Sequence, residues 1–224
     1  MLPFNTFSIH ALLSFMIAAP LAVIFLLPDE RWMVTLSDAS GHGIGPALII
    51  SETRAMLRAF GTRCGDALDV LCEARRLLVH DLSEGQFVTC FLGLLDVPAA
   101  ALSYASAGHG PIIFYDRDTD GFRTENATQL PLPLVSPLEE ESPPVLRQWR
   151  FRSGDLLVVA SDGFWEAFNA RGQQFGTERL LDVLYRARNL SACEIIEMCR
   201  QEIDRFTMPA RQSDDLTIVV LRKH

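Results

Sequence analysis

Aspartates at three distant places in the sequence share one setting, the border between an apolar segment and a turn. Asp38 follows WMVTLS, Asp162 follows LLVVAS, and the pair Asp214 and Asp215 stands directly before LTIVV. Strand ends at the rim of a sheet bring remote residues together, whereas a charge inside such a strand carries a large cost of burial. Clustered carboxylates repel one another unless a cation compensates them, and hard divalent metals prefer oxygen ligands. The three places are therefore candidate ligands of a divalent cation.

Local structure is the alternative explanation, because aspartate is also common in turns and helix caps. Each aspartate taken alone is better explained as a turn or cap residue. Taken together, their shared setting supports a metal site as strongly as it supports turns and caps. Gly163, directly after Asp162, and the glycines after Asp38 would let the backbone approach a ligand closely. Both explanations stay open on the residues alone.

The residues Asp38–Gly45 (DASGHGIG) form a glycine-rich turn, and the motifs in and around it argue against several other kinds of site. The turn could cradle a phosphate at a helix N-terminus, but a dinucleotide fingerprint would need glycine where Pro46 stands, and no Gly-Lys-Ser/Thr follows. His42 and His109 lie in Gly-His-Gly contexts without HExxH or Cys/His spacing, which favours a structural or supporting role. The sequence contains no GxSxG motif, so it gives no indication of a serine nucleophile of the hydrolase type.

Composition predicts a globular protein of one domain, or of one domain with a short appendage. The chain has 224 residues, of which 49% are hydrophobic and 21% charged. Its net charge of −8 and the lack of a basic run argue against nucleic acid as a partner. The five cysteines form no CxxC pair, which is typical of reduced, buried thiols in a cytoplasmic protein.

Apolar periodicity predicts strands before and after grouped helices, hence an α+β fold with antiparallel sheets packed together and helices outside. Pro46 is expected to open a helix to Phe60, and a capping box begins the last helix at Ser191 with Glu194. A second helix is expected over Asp66–Leu82, and a loop from Pro131 to Pro144. The expected strands are Leu21–Leu27, Arg31–Ser37, Phe87–Leu95, Leu102–Ala107, Ile112–Tyr115, Leu146–Phe151, Leu156–Ala160 and Leu216–Leu221.

The N-terminal segment permits two interpretations, because Met1 to Leu27 contains no Asp, Glu, Lys or Arg. Ser8–Leu27 has about the ~20 residues that a membrane span needs. Pro20 interrupts it, and it lacks the positive start of a secretory signal. We favour a buried strand over Leu21–Leu27 in a hairpin with Arg31–Ser37, and a membrane anchor through residues 8–27 is the alternative.

The glycine-rich turn also carries a resemblance to a known family. Asp38-Ala39-Ser40-Gly41-His42-Gly43, followed by Pro46-Ala47-Leu48, resembles the Asp-x-Ser-Gly-His-Gly segment of SpoIIE/RsbU-type phosphatases. The likeness runs from about Asp29 to Arg222. Further matching stretches follow in the family's order: FVTCF from Phe87, YASAGH from Tyr104, SGDLL from Ser153, SDGFWEA from Ser161, FG at Phe175 and SDDLT from Ser213.

The resemblance implies the fold of the PPM superfamily, a β-sandwich of two mainly antiparallel sheets flanked by helices. It implies two Mn²⁺ or Mg²⁺ ions, with Asp38 bridging both and the Ala39 carbonyl as a backbone ligand. Asp162 and Asp214 resemble ligands of the second metal. The resemblance further implies supporting positions around these ligands at Gly41, His42, Gly163 and Asp215.

The activity implied is the hydrolysis of phosphoserine or phosphothreonine on a regulatory protein, often an anti-anti-sigma (STAS) protein. In such two-metal sites a bridging water attacks phosphorus in line. Helix 46–60 resembles a switch that responds to a sensor domain or to a dimer partner. The expected location is the cytoplasm.

One departure from the family lies ahead of the Asp38 hairpin. The family normally has a Gly-Asp motif there, where this chain reads Ala18-Ala19-Pro20-Leu21. We therefore expect residues 1–20 to be an apolar segment atypical of the family, either an anchor or an aberrant start. Residues 21–224 are expected to form the phosphatase domain without its first metal motif. A catalytically weak scaffold that binds a signalling partner, and a membrane-tethered signalling module, are the alternatives.

Overall fold

The computed structural model describes residues 6–14, 20–134, 144–209 and 215–224. The chain divides into two compact units, and each contains one antiparallel sheet with helices. The first unit comprises Ile17–Pro111 and Glu125–Phe151. The second comprises Met1–Met16, Ile112–Thr124 and Arg152–His224.

The first unit contains a five-stranded sheet in the order β2-β3-β4-β5-β8 and two helices. Every neighbouring pair in this sheet is antiparallel. The elements are β2 Pro20–Leu26, β3 Trp32–Ala39, α1 Ile44–Gly61, α2 Ala67–Asp81, β4 Val88–Asp96, β5 Ala101–Ala107 and β8 Arg147–Arg150.

The core of the first unit follows from strand alternation, since successive side chains point to opposite faces of a sheet. Met33 on β3 and the alternate residues Cys90, Leu92 and Leu94 on β4 are buried in one cluster with the apolar faces of α1 and α2. The helices therefore cover the face of the sheet that these residues share. Their buried contributions are Ile50 and Leu57 from α1, and Val70, Leu71, Ala74 and Leu78 from α2.

The second unit contains a five-stranded sheet in the order β1-β10-β9-β6-β7. Strand β10 lies between β1 and β9 and runs antiparallel to both. The elements are β1 Phe7–Ser14, β6 Ile112–Asp116, β7 Gly121–Glu125, β9 Leu156–Ala160, α3 Gly163–Glu166, α4 Gly176–Ala187, α5 Ala192–Thr207 and β10 Leu216–Lys223.

A single apolar cluster joins the second sheet to α4 and α5. Helix α5 begins with the expected capping box, in which the Ser191 hydroxyl accepts from Glu194 N and the Glu194 carboxylate accepts from Ser191 N, at 3.3 and 2.9 Å. These reciprocal bonds satisfy two backbone donors that a helix start otherwise leaves unpaired.

The expected hairpin at the N-terminus is confirmed: β2 pairs with β3, with Val23 opposite Thr35. Strand β1 was not expected, because an uncharged segment gives no alternation from which to read a strand. The described residues of Ser8–Leu27 are the strand segments 8–14 and 20–26, with the turn beginning at 27. None of the helices in the described parts of the chain is long and apolar enough to cross a membrane.

The prediction for the start of α1 was wrong by two residues, since the helix begins at Ile44 rather than at Pro46. Pro46 is its third residue, where a missing N–H costs nothing because the first turn has no intrahelical acceptors. Helix α2 has Asp66 as its N-cap, and that carboxylate accepts from Asp69 N at 2.9 Å. Part of the expected loop from Pro131 to Pro144 lies outside the described residues.

All five cysteines are free. Cys90 and Cys199 are buried, as expected, and burial raises the pKa of each thiol to about 12. The expectation of burial was wrong for Cys193, which is exposed, and Cys64 and Cys72 are only partly buried.

A polar network ties the β6–β7 turn to the end of α4. The Asp120 carboxylate accepts from the Tyr115 hydroxyl at 2.6 Å and from Arg188 Nε at 2.7 Å. Tyr185 donates to the same carboxylate at 3.2 Å, and the Arg188 guanidinium lies 3.9 Å from the centre of the Tyr185 ring. Hydrogen bonds from Arg188 and Tyr115 lower the pKa of Asp120 from its ordinary 3.8 to about 2.

We predict that Asp120 makes the protein more resistant to unfolding at neutral than at acid pH. Because its folded pKa is depressed, the carboxylate stabilises the fold above its ordinary pKa and loses this effect as the pH falls toward about 2. The difference in unfolding free energy between the wild type and Asp120→Asn should therefore stay constant down to about pH 5 and shrink below it, toward about pH 2, in urea titrations. Asp182→Asn, which removes an exposed carboxylate paired with Arg186, is the control for the loss of a surface charge. A gap for Asp120→Asn that stays constant below about pH 5 contradicts the prediction.

Candidate metal centre

Buried Ser161 joins the end of β9 to the start of β10 in the second unit. Its backbone N–H donates to the Thr217 carbonyl at 2.8 Å, and its hydroxyl accepts from Thr217 N at 3.0 Å. The same hydroxyl donates to the Asp215 carbonyl at 3.2 Å. The three hydrogen bonds fix the backbone on either side of Asp162 relative to Asp215, so two carboxylate-bearing positions 53 residues apart in the sequence become neighbours.

Gly163 allows these two segments to approach closely. A Cβ atom at this position would lie 2.3 Å from the Asp215 carbonyl oxygen, a distance that side chains essentially never adopt. The glycine expected beside Asp162 is therefore required by the close contact with the start of β10.

Asp162 stands at the N-cap position of the short helix α3, yet its side chain makes no capping hydrogen bond. The cap is formed by its backbone carbonyl, which accepts from Trp165 N and Glu166 N at 3.0 and 2.8 Å. Local capping therefore does not explain why this partly buried position carries a carboxylate. Asp215 is buried, with 4% of its surface exposed, immediately before β10.

Asp38 and Ala39 are the last two residues of β3 in the first unit. Asp38 is partly buried and lies opposite Thr89 on β4 and opposite Pro20 on β2. Asp38 was expected to follow the strand, and the structure places it inside the strand, close to its end. Sheet pairing thus holds the Asp38 backbone on both sides.

The turn after β3 is fixed by Ser40. Its N–H donates to the Phe87 carbonyl at 2.9 Å, and its hydroxyl accepts from Phe87 N at 3.0 Å. Gly41 and Gly43 then adopt φ angles of 92° and 98°, a backbone conformation that favours glycine, and the chain enters α1. His42 between them is exposed.

Two residues near Asp38 were given no specific role by the motifs. The Thr89 hydroxyl lies 3.0 Å from Nδ1 of His109, and the imidazole is buried, with 4% exposed. Thr89 lies in the FVTC segment and His109 in the AGH segment, 20 residues further along the chain. That Thr89 lies opposite Asp38 follows only from the register of β3 and β4.

The structure thus brings Asp162, Gly163 and Asp215 together in the second unit, and Asp38, Ala39, Gly41 and His42 in the first. Asp214 lies outside the described residues. Within the described part of the chain, no group of three or more His, Cys, Asp and Glu side chains could hold a metal ion. The carboxylates at 162 and 215 and the carbonyl of residue 39 are nevertheless the oxygen donors that Mg²⁺ and Mn²⁺ take. Asp214 remains a predicted ligand.

These two helix-flanked antiparallel sheets form the fold of PP2C-type protein phosphatase domains. The PP2C domain of SiaA from Pseudomonas aeruginosa matches with a TM-score of 0.78 at 20% identity, over 96% of this chain and 85% of that one. The PP2C domain of SpoIIE from Bacillus subtilis, with a fragment of its regulatory domain, matches with a TM-score of 0.79 at 19% identity, over 96% and 63%. The expected fold class is confirmed.

The chain belongs to the family described as Stage II sporulation protein E (SpoIIE), which matches residues 28–224. Protein IcfG of Synechocystis is 24% identical over 89% of this chain and 35% of its own length. Phosphoserine phosphatase RsbU of Bacillus subtilis is 24% identical over 89% of this chain and 58% of its own. The chain therefore spans between about a third and three fifths of these relatives.

Divalent metals are present in two further structures of the same fold. RsbX in complex with magnesium matches with a TM-score of 0.67 at 10% identity, over 97% of this chain and 94% of that one. The catalytic domain of PstP in complex with two manganese ions matches with a TM-score of 0.62 at 14% identity, over 97% and 98%.

We predict that Gly163→Ala destabilises the protein by about 1–3 kcal/mol, because the added methyl group forces apart the ends of β9 and β10. Gly65→Ala is the matched control, since a Cβ there meets no atom within 4 Å and the change should stay within about 0.5 kcal/mol. Urea unfolding in metal-free buffer measures both. Equal stability of the two variants would show that the contact at Asp215 is not a tight one.

Proposed function

We propose that this chain is a metal-dependent protein phosphatase that hydrolyses phosphoserine or phosphothreonine on a regulatory protein. The observation that carries the proposal is the Ser161 junction, which sets Asp162 beside the start of β10 in a chain of the SpoIIE family. Buried hydrogen bonds and a required glycine hold this junction between two acidic positions together. The formation of a turn alone would need neither the hydrogen bonds nor the glycine.

The proposed cation ligands are Asp38, the Ala39 carbonyl, Asp162 and Asp214. Bound Mn²⁺ or Mg²⁺ would supply charge to neutralise the phosphoryl group and would activate water at neutral pH. The protein contributes orientation: β3 pairing fixes Asp38, and the Ser161 bonds fix the backbone of Asp162. Gly41, His42, Gly163 and Asp215 support these ligands through the turn geometry and the close contact described above.

The proposed substrate is a phosphoprotein rather than a small phosphate ester. RsbU, similar over 89% of this chain, is a phosphoserine phosphatase. With the resemblance seen in the sequence, this supports a regulatory substrate of the anti-anti-sigma (STAS) type. The acidic net charge of −8 supports a protein rather than a nucleic acid partner.

Helix α1, which contains the expected partner segment 46–60, is the proposed contact for a sensor domain or a dimer partner. Ile44 and Leu48, one turn apart at its start, expose 77% and 66% of their surface. The helix follows the Asp38 turn directly, so a partner that prefers one position of α1 would act on the metal ligands. The five free thiols support the cytoplasm as the proposed location, with attachment to a membrane through residues 8–27 as the alternative.

We predict that the Asn variants of Asp38, Asp162 and Asp214 each lose Mn²⁺-dependent hydrolysis of a phosphoserine peptide by more than about 100-fold, since each removes a charged ligand with little change of shape. Asp215→Asn should be milder, because only the first member of the pair matches the ligand position of the family. Steady-state kinetics at several Mn²⁺ concentrations measure both. Equal losses from Asp214→Asn and Asp215→Asn would contradict the assignment.

The missing acid of the family can be placed by register. Pro20 lies opposite Asp38, whereas Leu21 lies opposite Ser37. Side chains of opposed residues share one face of the sheet, and a shift of one residue moves a side chain to the other face. An acid at position 20 would therefore stand on the face of Asp38. The absence of an acid there supports the second candidate function, a catalytically weak scaffold that binds a signalling partner.

We predict that changing Ala19-Pro20 to Gly-Asp raises Mn²⁺ affinity and turnover by about 10–100-fold, since it restores an acid that orients metal-bound groups. The matched control changes Pro20-Leu21 to Gly-Asp, which puts the same acid opposite Ser37 and should give no gain. Calorimetric Mn²⁺ titration and peptide hydrolysis measure the effect. A wild type that already hydrolyses phosphoserine at about 10 s⁻¹ would contradict the view that the lack of this acid slows the enzyme.

A further inference from the structure

Buried His109 is held at two points in the first unit. Its Nδ1 lies 3.0 Å from the Thr89 hydroxyl, and its carbonyl accepts from the Ser106 hydroxyl at 2.5 Å. The preceding Gly108 has φ 66° and packs so closely on Pro131 that a Cβ would lie 2.2 Å from the proline ring. The turn therefore fixes both the backbone and the ring edge of His109.

Strand register places Thr89 beside Asp38. The two residues are directly opposed on β4 and β3, and opposed residues have Cβ atoms about 4.5–5.5 Å apart on the same face. Cys90, the next residue on β4, belongs to the core under α1 and α2, so alternation puts Thr89 and Asp38 on the face away from these helices. Thr89 thus contacts the imidazole of His109 and shares a face of the sheet with Asp38.

We infer that His109 is a positioning residue for Asp38 and acts through Thr89. A hydroxyl has one proton and two acceptor sites. With the proton of the neutral imidazole on Nδ1, His109 donates to Thr89, and the hydroxyl proton is free to be donated to the Asp38 carboxylate. The hydrogen bond from Thr89 then holds the carboxylate in the orientation that a metal requires. This inference rests on the proposed function only in taking Asp38 as a ligand.

The expected consequence is a change in metal affinity, because hydrogen bonds behind a ligand typically account for 10–100-fold in affinity or activity. Thr89→Val removes the hydroxyl at nearly constant shape and should weaken Mn²⁺ binding by about 10–100-fold. Thr89→Ser keeps the hydroxyl and should bind Mn²⁺ within about threefold of the wild type. Thr35→Val, the same change on β3 opposite Leu92, is the control and should leave the Mn²⁺ dissociation constant unchanged.

A second pair of variants tests which nitrogen of His109 matters. Asn places an N–H donor near the position of Nδ1, whereas Gln places its amide near that of Nε2. His109→Asn should therefore retain Mn²⁺ affinity better than His109→Gln. Urea unfolding without metal identifies folded variants, and affinity is compared only among those, so that a loss of folding is not taken for a loss of orientation.

Calorimetric titration of the whole chain with Mn²⁺ is the deciding measurement. Equal affinities of Thr89→Val and Thr89→Ser, or of His109→Asn and His109→Gln, would overturn the inference. A wild type that binds no Mn²⁺ would overturn it together with the metal site. A wild type that binds Mn²⁺ with the expected order of variants, yet hydrolyses no phosphoserine peptide, would support the inference and overturn the proposed function alone.

Discussion

The spacing between the end of β9 and the start of β10 depends on one buried hydroxyl. Ser161 accepts one hydrogen bond and donates another through the same oxygen, and its backbone adds a third. Because β10 is a central strand between β1 and β9, a change in this junction would be transmitted along both ladders. The position of Asp162 is therefore set by the pairing of the whole sheet and not by the short helix α3 that follows it.

Local sequence was sufficient for the elements with a strong pattern. The capping box of Ser191, the helix that begins near Asp66 and the strand Leu156–Ala160 were predictable because each depends on neighbouring residues alone. Strand β1 was not predictable, since an uncharged segment satisfies a strand and a membrane span equally well. The start of α1 was misjudged because proline is tolerated throughout a first turn, not only at its first position.

The candidate site was only partly predictable for a different reason. Asp38, Asp162 and Asp215 could be selected because each carries a charge next to an apolar run. The neighbours that orient them are ordinary polar residues, Ser161 and Thr89, whose importance arises from register between strands. Strand pairing joins residues that are far apart in the sequence, 51 positions for Asp38 and Thr89 and 54 for Ser161 and Asp215, and no local pattern encodes it.

The pairing of β1 with β10 has a consequence for the order in which the protein is made. Phe7 pairs with Lys223, and His224 N donates to the Thr6 carbonyl, so the second unit contains both ends of the described chain. On a ribosome the first unit, complete by Phe151, can form while the remaining residues are still being added. Strand β1 must wait for β10, and until then it is an unpaired apolar strand, which is the kind of segment that chaperones bind and that aggregates when left unprotected.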